Sequence, residues 1–186
     1  MRMLNIRCCF AVVFGLIAQS VYADSFEYSS FLGNRPLITI QTDPPLVASN
    51  DRAIDATFCR GGDFSCFKSD WFSFSIPKNR PDDLMEWSSE GSVYRIASFS
   101  VVRVFGICRE VYKISSTQND RKLEFMFSPS FGLLGFNLEV DGQVVPYTSE
   151  REFGFGAVNP VRKKSLQADR RLSKRNQISS ACASAN

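Results

Sequence analysis

The residues in this chain most able to do chemistry are acidic. Asp82, Asp83, Glu86 and Glu90 fall in one short stretch, close enough for two carboxyl groups to flank a cleft. Glycoside hydrolysis uses such a pair, one as acid and the other as base or nucleophile. A plainer reading competes with it: after Pro81, these acids have the composition of a first helical turn, where carboxylates favour the positive end of the dipole. Histidine is absent from all 186 residues. With it go the usual Ser-His-Asp and Cys-His mechanisms and the histidine-containing zinc and iron sites. A serine-lysine pair still leaves acyl transfer open. Gly61-Gly62-Asp63 lacks the following lysine and the strand-to-helix setting of a phosphate loop. No cofactor and no metal are implied.

Trp71 and Trp87 are of the type that stacks on sugar rings, yet tryptophan in a small β domain is more often core. Cys59 and Cys66 bracket six residues that include two consecutive glycines. In an oxidising compartment this reads as a disulfide-closed loop, whereas a redox or metal pair favours closer spacing and a histidine. Cys108 sits in an apolar stretch, as a rival partner or a buried thiol. Cys182 lies among small residues near the C-terminus. Four cysteines beyond the N-terminal segment allow three complete pairings, and spacing does not choose among them.

The remaining candidates are cationic. Arg162, Lys163, Lys164, Arg170, Arg171, Lys174 and Arg175 face only Asp169 in residues 160–186, a net charge of +6. Residues 24–159 carry 13 basic and 18 acidic side chains, so an acidic domain bears a basic tail. Such a tail attracts phosphate on nucleic acid or anionic lipid without reading sequence. The plainer reading is a solvated extension. Leu166, Leu172 and Ile178 make no sustained apolar face and no aromatics interleave for stacking, which disfavours nucleic acid as a partner. From Pro160 onward the composition is that of a disordered segment or a marginal helix.

The elements that would position these residues are strands. From Lys122 to Tyr147 the side chains alternate: Leu123, Phe125 and Phe127 on one face, then Leu134, Phe136, Leu138 and Val140 after a Pro129-to-Gly132 turn. Asp141-Gly142 is a two-residue hairpin connection that sets Val140 opposite Gln143 and Leu138 opposite Val145. Further strands are expected at Leu37 to Gln41, Ala53 to Phe58, Trp71 to Ile76, Val93 to Ser98 or beyond, and Ile107 to Ser115, with Gly106 as a bulge or bend. Residues Phe26 to Gly33 show no clear period. One short helix is expected from about Asn79 to Trp87, and Phe153 to Gly156 as an edge strand or an aromatic-bearing loop.

At the N-terminus, Arg2 and Arg7 precede an unbroken small or apolar run from Cys8 to Ala18, followed by Val21-Tyr22-Ala23. This is the layout of a secretory signal peptide over residues 1–23, too short in its apolar part to span a bilayer. No later stretch is long and apolar enough to do so. The expectation is therefore a signal at 1–23, one β-rich domain at 24–159 and a basic tail at 160–186. The domain is expected to be all-β, a small antiparallel barrel or sandwich of about seven to nine strands with one short helix. The functional expectation is an exported, periplasmic or secreted, non-catalytic binding protein. It is inhibitor-, immunity- or accessory-like and recognises a protein or an envelope component. The alternatives are a small carboxylate-dependent glycan hydrolase and a structural envelope protein.

Overall fold

The alternating stretch from Lys122 to Tyr147 forms the middle of a large antiparallel sheet. The computed structural model describes residues 25–157, except 33–36, 51, 60–61, 80–82, 105 and 141. The expected signal segment, the basic tail with its seven cations, Cys182, Gly61, Asp82 and Asp141 lie outside the described residues. In chain order the strands are β1 (Ser25–Ser29), β2 (Ile38–Thr42), β3 (Pro45–Ser49), β4 (Arg52–Asp55), β5 (Thr57–Phe58), β6 (Phe64–Lys68) and β7 (Ser73–Pro77). They continue as β8 (Glu86–Ser89), β9 (Ser92–Val104), β10 (Ile107–Gln118), β11 (Arg121–Ser128), β12 (Gly132–Val140) and β13 (Gln143–Ser149). The all-β expectation holds among the described residues, which include no helix.

Ten strands form one sheet in the order β4-β3-β2-β1-β13-β12-β11-β10-β9-β8, and β5, β6 and β7 form a second. The large sheet is thus two meanders joined where the first strand pairs the last, Tyr28 opposite Ser149 and Ser29 opposite Thr148. Its edges, β4 and β8, do not meet. The chain between them folds instead into the three-stranded sheet and lays its rings on the large sheet: Phe74 against Phe125 at 5.0 Å, and Phe72 against Phe136 at 4.8 Å. A closed barrel is therefore not formed. The segment that would have to be short for the edges to close is the one that fills the core.

The hairpin register is as the alternation demands. Val140 lies opposite Gln143, Leu138 opposite Val145 and Phe136 opposite Tyr147, so Phe125, Phe136 and Tyr147 run across the sheet as fully buried cross-strand neighbours. Gly142 has a φ of 73°, in the left-handed region that a two-residue hairpin turn requires.

Thirteen strands among the described residues replace the seven to nine expected, for three reasons. Asp43-Pro44 is a tight turn, with Thr42 pairing Pro45 across it, so the proline cluster separates two paired strands. Phe26 to Ser29 pair despite irregular patterning, because β1 has a strand on each side. The loop expected between the cysteines ends in the first two residues of β6, Phe64 and Ser65, and Cys66 lies within that strand.

The expected helix near Trp87 is replaced by β8. Glu90 and Gly91 have φ of 51° and 77°, the two successive positive values of a tight hairpin turn, and they set Trp87 opposite Tyr94. The two rings stack at 5.7 Å, and the Ile96 N–H donates to the Met85 carbonyl at 2.8 Å. Cross-strand pairing overrides the helix-start composition of the preceding acids.

The chain after β13 completes the core as a loop. Phe155 inserts between the sheets, its ring 5.1 Å from Phe67, 5.6 Å from Phe58 and 5.8 Å from Phe26. The buried Tyr28 hydroxyl donates to the Leu133 carbonyl and accepts from the Phe155 N–H, both at 3.1 Å. A Cβ at Gly154 would overlap the Leu133 carbonyl, so only glycine lets the loop approach this closely.

Candidate interaction surface

The acidic candidates do not converge. Glu86 is committed to Arg95, which reaches its Oε2 at 2.8 Å through Nε and 2.6 Å through Nη2. Glu90 sits in the turn at the far end of β8. Four residues along an extended strand separate two Cα atoms by roughly 13 Å, beyond the carboxylate spacing of the usual retaining site. Asp83 is in the turn that leads to β8.

Trp87 is buried, and its indole N–H donates to the Ser75 carbonyl at 3.1 Å, so its ring offers no platform for a sugar. Trp71 is half-buried against the same core. Around Tyr94 several polar groups pair with one another, while the buried Ser75 hydroxyl near Trp87 has no hydrogen-bond partner among the described residues. Gln118 donates to the Ser73 carbonyl at 2.7 Å and accepts from the Ser73 N–H at 2.8 Å, fastening β7 to the end of β10. Burial raises the Tyr94 phenol above the ordinary tyrosine value, with the Ser73 hydroxyl opposing the shift.

Cys59 and Cys66 form a disulfide with Cα atoms 5.2 Å apart. With the Glu90 carboxylate they are the cluster of potential metal ligands among the described residues. Sulfurs already bonded to each other do not supply the thiolates a metal needs. Cys108 is disulfide-bonded as well.

What the fold does present is an arm. β9 and β10 are thirteen and twelve residues long, but β11 pairs β10 only from Tyr112 onward. Residues 99–111 therefore form a two-stranded hairpin that projects past the rest of the sheet, closed by the Val104–Ile107 pair. Gly106, with φ of 75°, is in the turn of that hairpin, which is the physical basis of the bend expected there.

The arm carries exposed apolar side chains on both faces, beside Arg103 and Glu110 on one and the buried Arg109 on the other. On one, Phe99 lies opposite Tyr112 with the rings 5.2 Å apart, and Val101 and Cys108 follow. On the other, Val102 lies opposite Arg109, next to Ile107. Phe99, Val102 and Ile107 are 52 %, 37 % and 45 % exposed. Large apolar side chains left in water on a projecting element mark contact surfaces.

The middle of the arm packs against the β11–β12 turn and the loop after β13. The Arg109 guanidinium is wholly buried and lies 3.6 Å over the Phe131 ring. It donates to the Glu152 carbonyl oxygen at 2.9 Å and faces the Glu152 carboxylate at 3.5 Å. Phe131 in turn stacks on Phe153 at 5.4 Å. Burial lowers the Arg109 pKa from its ordinary value while Glu152 opposes the fall. A cation held between a ring and a carboxylate ties the arm to the loop after β13.

Sequence reasoning missed this surface. A signal was present: from Val93 to Ser115 the apolar residues outrun the length any neighbouring strand can cover. Arg109 alternates with Ile107 and Val111 on one face of the strand, the only sign that its cation would be buried. No helix among the described residues is long and apolar enough to cross a membrane. The chain matches no protein family, no curated protein and no solved structure.

Proposed function

We propose that this chain is an exported, non-catalytic binding protein that engages another protein through the β9–β10 arm, in the manner of an inhibitor, immunity or accessory factor. The observation that carries the reading is the projection of residues 99–111 with Phe99, Val102 and Ile107 in water. Apolar side chains on a hairpin held at its middle by Arg109 suit a protein partner. A polysaccharide or an anionic polymer would instead call for polar or cationic ones.

Export is supported by the layout of residues 1–23 and by the Cys59–Cys66 disulfide, which suits a periplasmic or extracellular setting. In this reading the two packed sheets are an open sandwich, and the basic segment beyond residue 159 is accessory to the arm. The hydrolase alternative has less support, since Glu86 is ion-paired and Trp87 is core.

Capture from envelope and culture fractions tests the proposal, using oxidised protein spanning residues 24–186. One protein retained at stoichiometric amounts is the expected result. Release of soluble sugar from wall material, lost on Glu86→Gln, would replace it with the hydrolase reading.

A further inference from the structure

β9 has a strand on each side for only part of its length. β8 pairs it from Ser92 to Arg95, and the bond from the Ile96 N–H to the Met85 carbonyl extends that ladder by one residue. Leu84 packs against the core, so the chain before Met85 leaves the edge. From Ala97 to Val104, no strand among the described residues lies beyond β9 on this side. The register tells which backbone groups are left over. Val104 and Ile107 close a two-residue turn, and such a closing pair exchanges both of its hydrogen bonds. Alternation then turns the N–H and C=O of Ser100 and Val102 toward β10, and those of Phe99, Val101 and Arg103 away from it.

We propose that this edge pairs with the same edge of a second copy of the chain, antiparallel about a two-fold axis through Val101, so that two arms form one four-stranded sheet. Val101 then faces its own counterpart and Phe99 faces Arg103 in both directions. All three outward-turned residues of each copy find a partner, with about six hydrogen bonds between the chains. Moving the axis to Ser100 or Val102 would match only two of the three with each other.

The edge suits itself in length and in charge. Val101 stands midway between Ile96, where the bond to Met85 ends the β8 ladder, and Gly106 in the turn. Each tip therefore reaches the end of the other copy's β8 without overlapping it. The pairing sets the Arg103 guanidinium beside the exposed Phe99 ring of the other copy, where the ring face attracts a cation. No like charges are opposed, since Glu110 lies across from Val101 within its own ladder. Long edges are ordinarily guarded by lysine, proline or shortness. Ala97 to Val104 has no proline and no lysine, and Arg103 is its one charge.

An interface of this kind uses the same patch on both copies. Side chains stand off the faces of a sheet and not off its edge, so the faces bearing Val102 and Ile107 stay in water and are doubled. The pairing goes beyond the reading of the arm as a surface for another protein and does not depend on it.

Sedimentation of the oxidised full chain over a wide range of concentration tests the pairing, and the expected result is a dimer that grows with concentration. Val101→Pro should abolish it. The Val101 N–H points away from β10, so the single chain loses no ladder bond, and proline is tolerated at such an edge position. Residues that exchange both hydrogen bonds have Cα atoms about 5.5 Å apart, within reach of a disulfide. Val101→Cys, oxidised and digested with trypsin, should therefore yield the peptide that follows Arg95 and ends at Arg103 joined to an identical peptide.

A parent chain that stays monomeric at every concentration overturns the pairing and spares the role of the arm in capture. A dimer that survives Val101→Pro places the contact elsewhere and overturns it as well. A chain that dimerises and cross-links as described, yet captures no other protein, upholds the pairing and overturns the proposed function instead.

Discussion

Tyr28 shows how much of the fold rests on single side chains. Its hydroxyl is the one polar atom through which β1, the start of β12 and the C-terminal loop meet, by the bonds to Leu133 and Phe155. Burial raises its pKa well above the ordinary tyrosine value, and the Phe155 N–H only partly offsets that. The neutral phenol is therefore the form the fold selects. Tyrosine in the unfolded chain ionises near pH 10, so the stability this group contributes is whole below about pH 10 and is lost as pH rises beyond it. Replacing Tyr28 with Phe should cost about 1–3 kcal/mol at neutral pH, by leaving the Phe155 N–H unpaired in the core, and should make the alkaline decline shallower. Urea melts between pH 7 and 11 measure both; an unchanged alkaline slope would show that Tyr28 is not buried as described. No pattern in the sequence marks Tyr28, whose serine-rich surroundings have no period. Trp87 is the opposite case, since its chemistry alone made core the better expectation.

At the scale of elements, turn chemistry was legible where glycine supplied it. Asp141-Gly142 set the pairing of β12 and β13 correctly, residue by residue. Gly142→Val should cost on the order of 1 kcal/mol, from the positive φ alone because nothing lies near its Cβ position, and a thermal melt detects it. Glu90-Gly91 was equally short, but the prolines and acids before it suggested a helix. What the helix reading lacked was the pairing of Trp87 with Tyr94, seven residues on, and local composition does not carry that information.

The segment after β13 was open between strand and loop. The structure makes it a loop, with Phe155 inside and Phe153 41 % exposed. Phe155→Ala should therefore cost about 3–5 kcal/mol, as a core strand residue would. Phe153→Ala should cost far less, and denaturant unfolding of the two variants checks the contrast. Equal effects would place both rings in the same environment and contradict the loop.

For the whole molecule, the class was written in the alternation, but the order of strands was not. The ten-stranded sheet depends on β1 reaching β13 across 120 residues of sequence, and on residues 56–85 folding over the face instead of letting β4 and β8 join. Both are long-range choices, settled by how the rings of Phe67, Phe72, Phe74 and Phe155 fill the space between two sheets. The same geometry carries the arm past its neighbour strand: β11 turns back at Ser128 while β9 and β10 run on.

The most direct test of the account changes only the arm. Protein with Phe99, Val102 and Ile107 all replaced by Ser should lose about 1–3 kcal/mol of stability, since all three are partly buried, yet still melt cooperatively, and should lose the stoichiometric partner that the parent captures. Undiminished capture by the variant, with the fold intact, would contradict the claim that this protein works by binding through its β9–β10 arm.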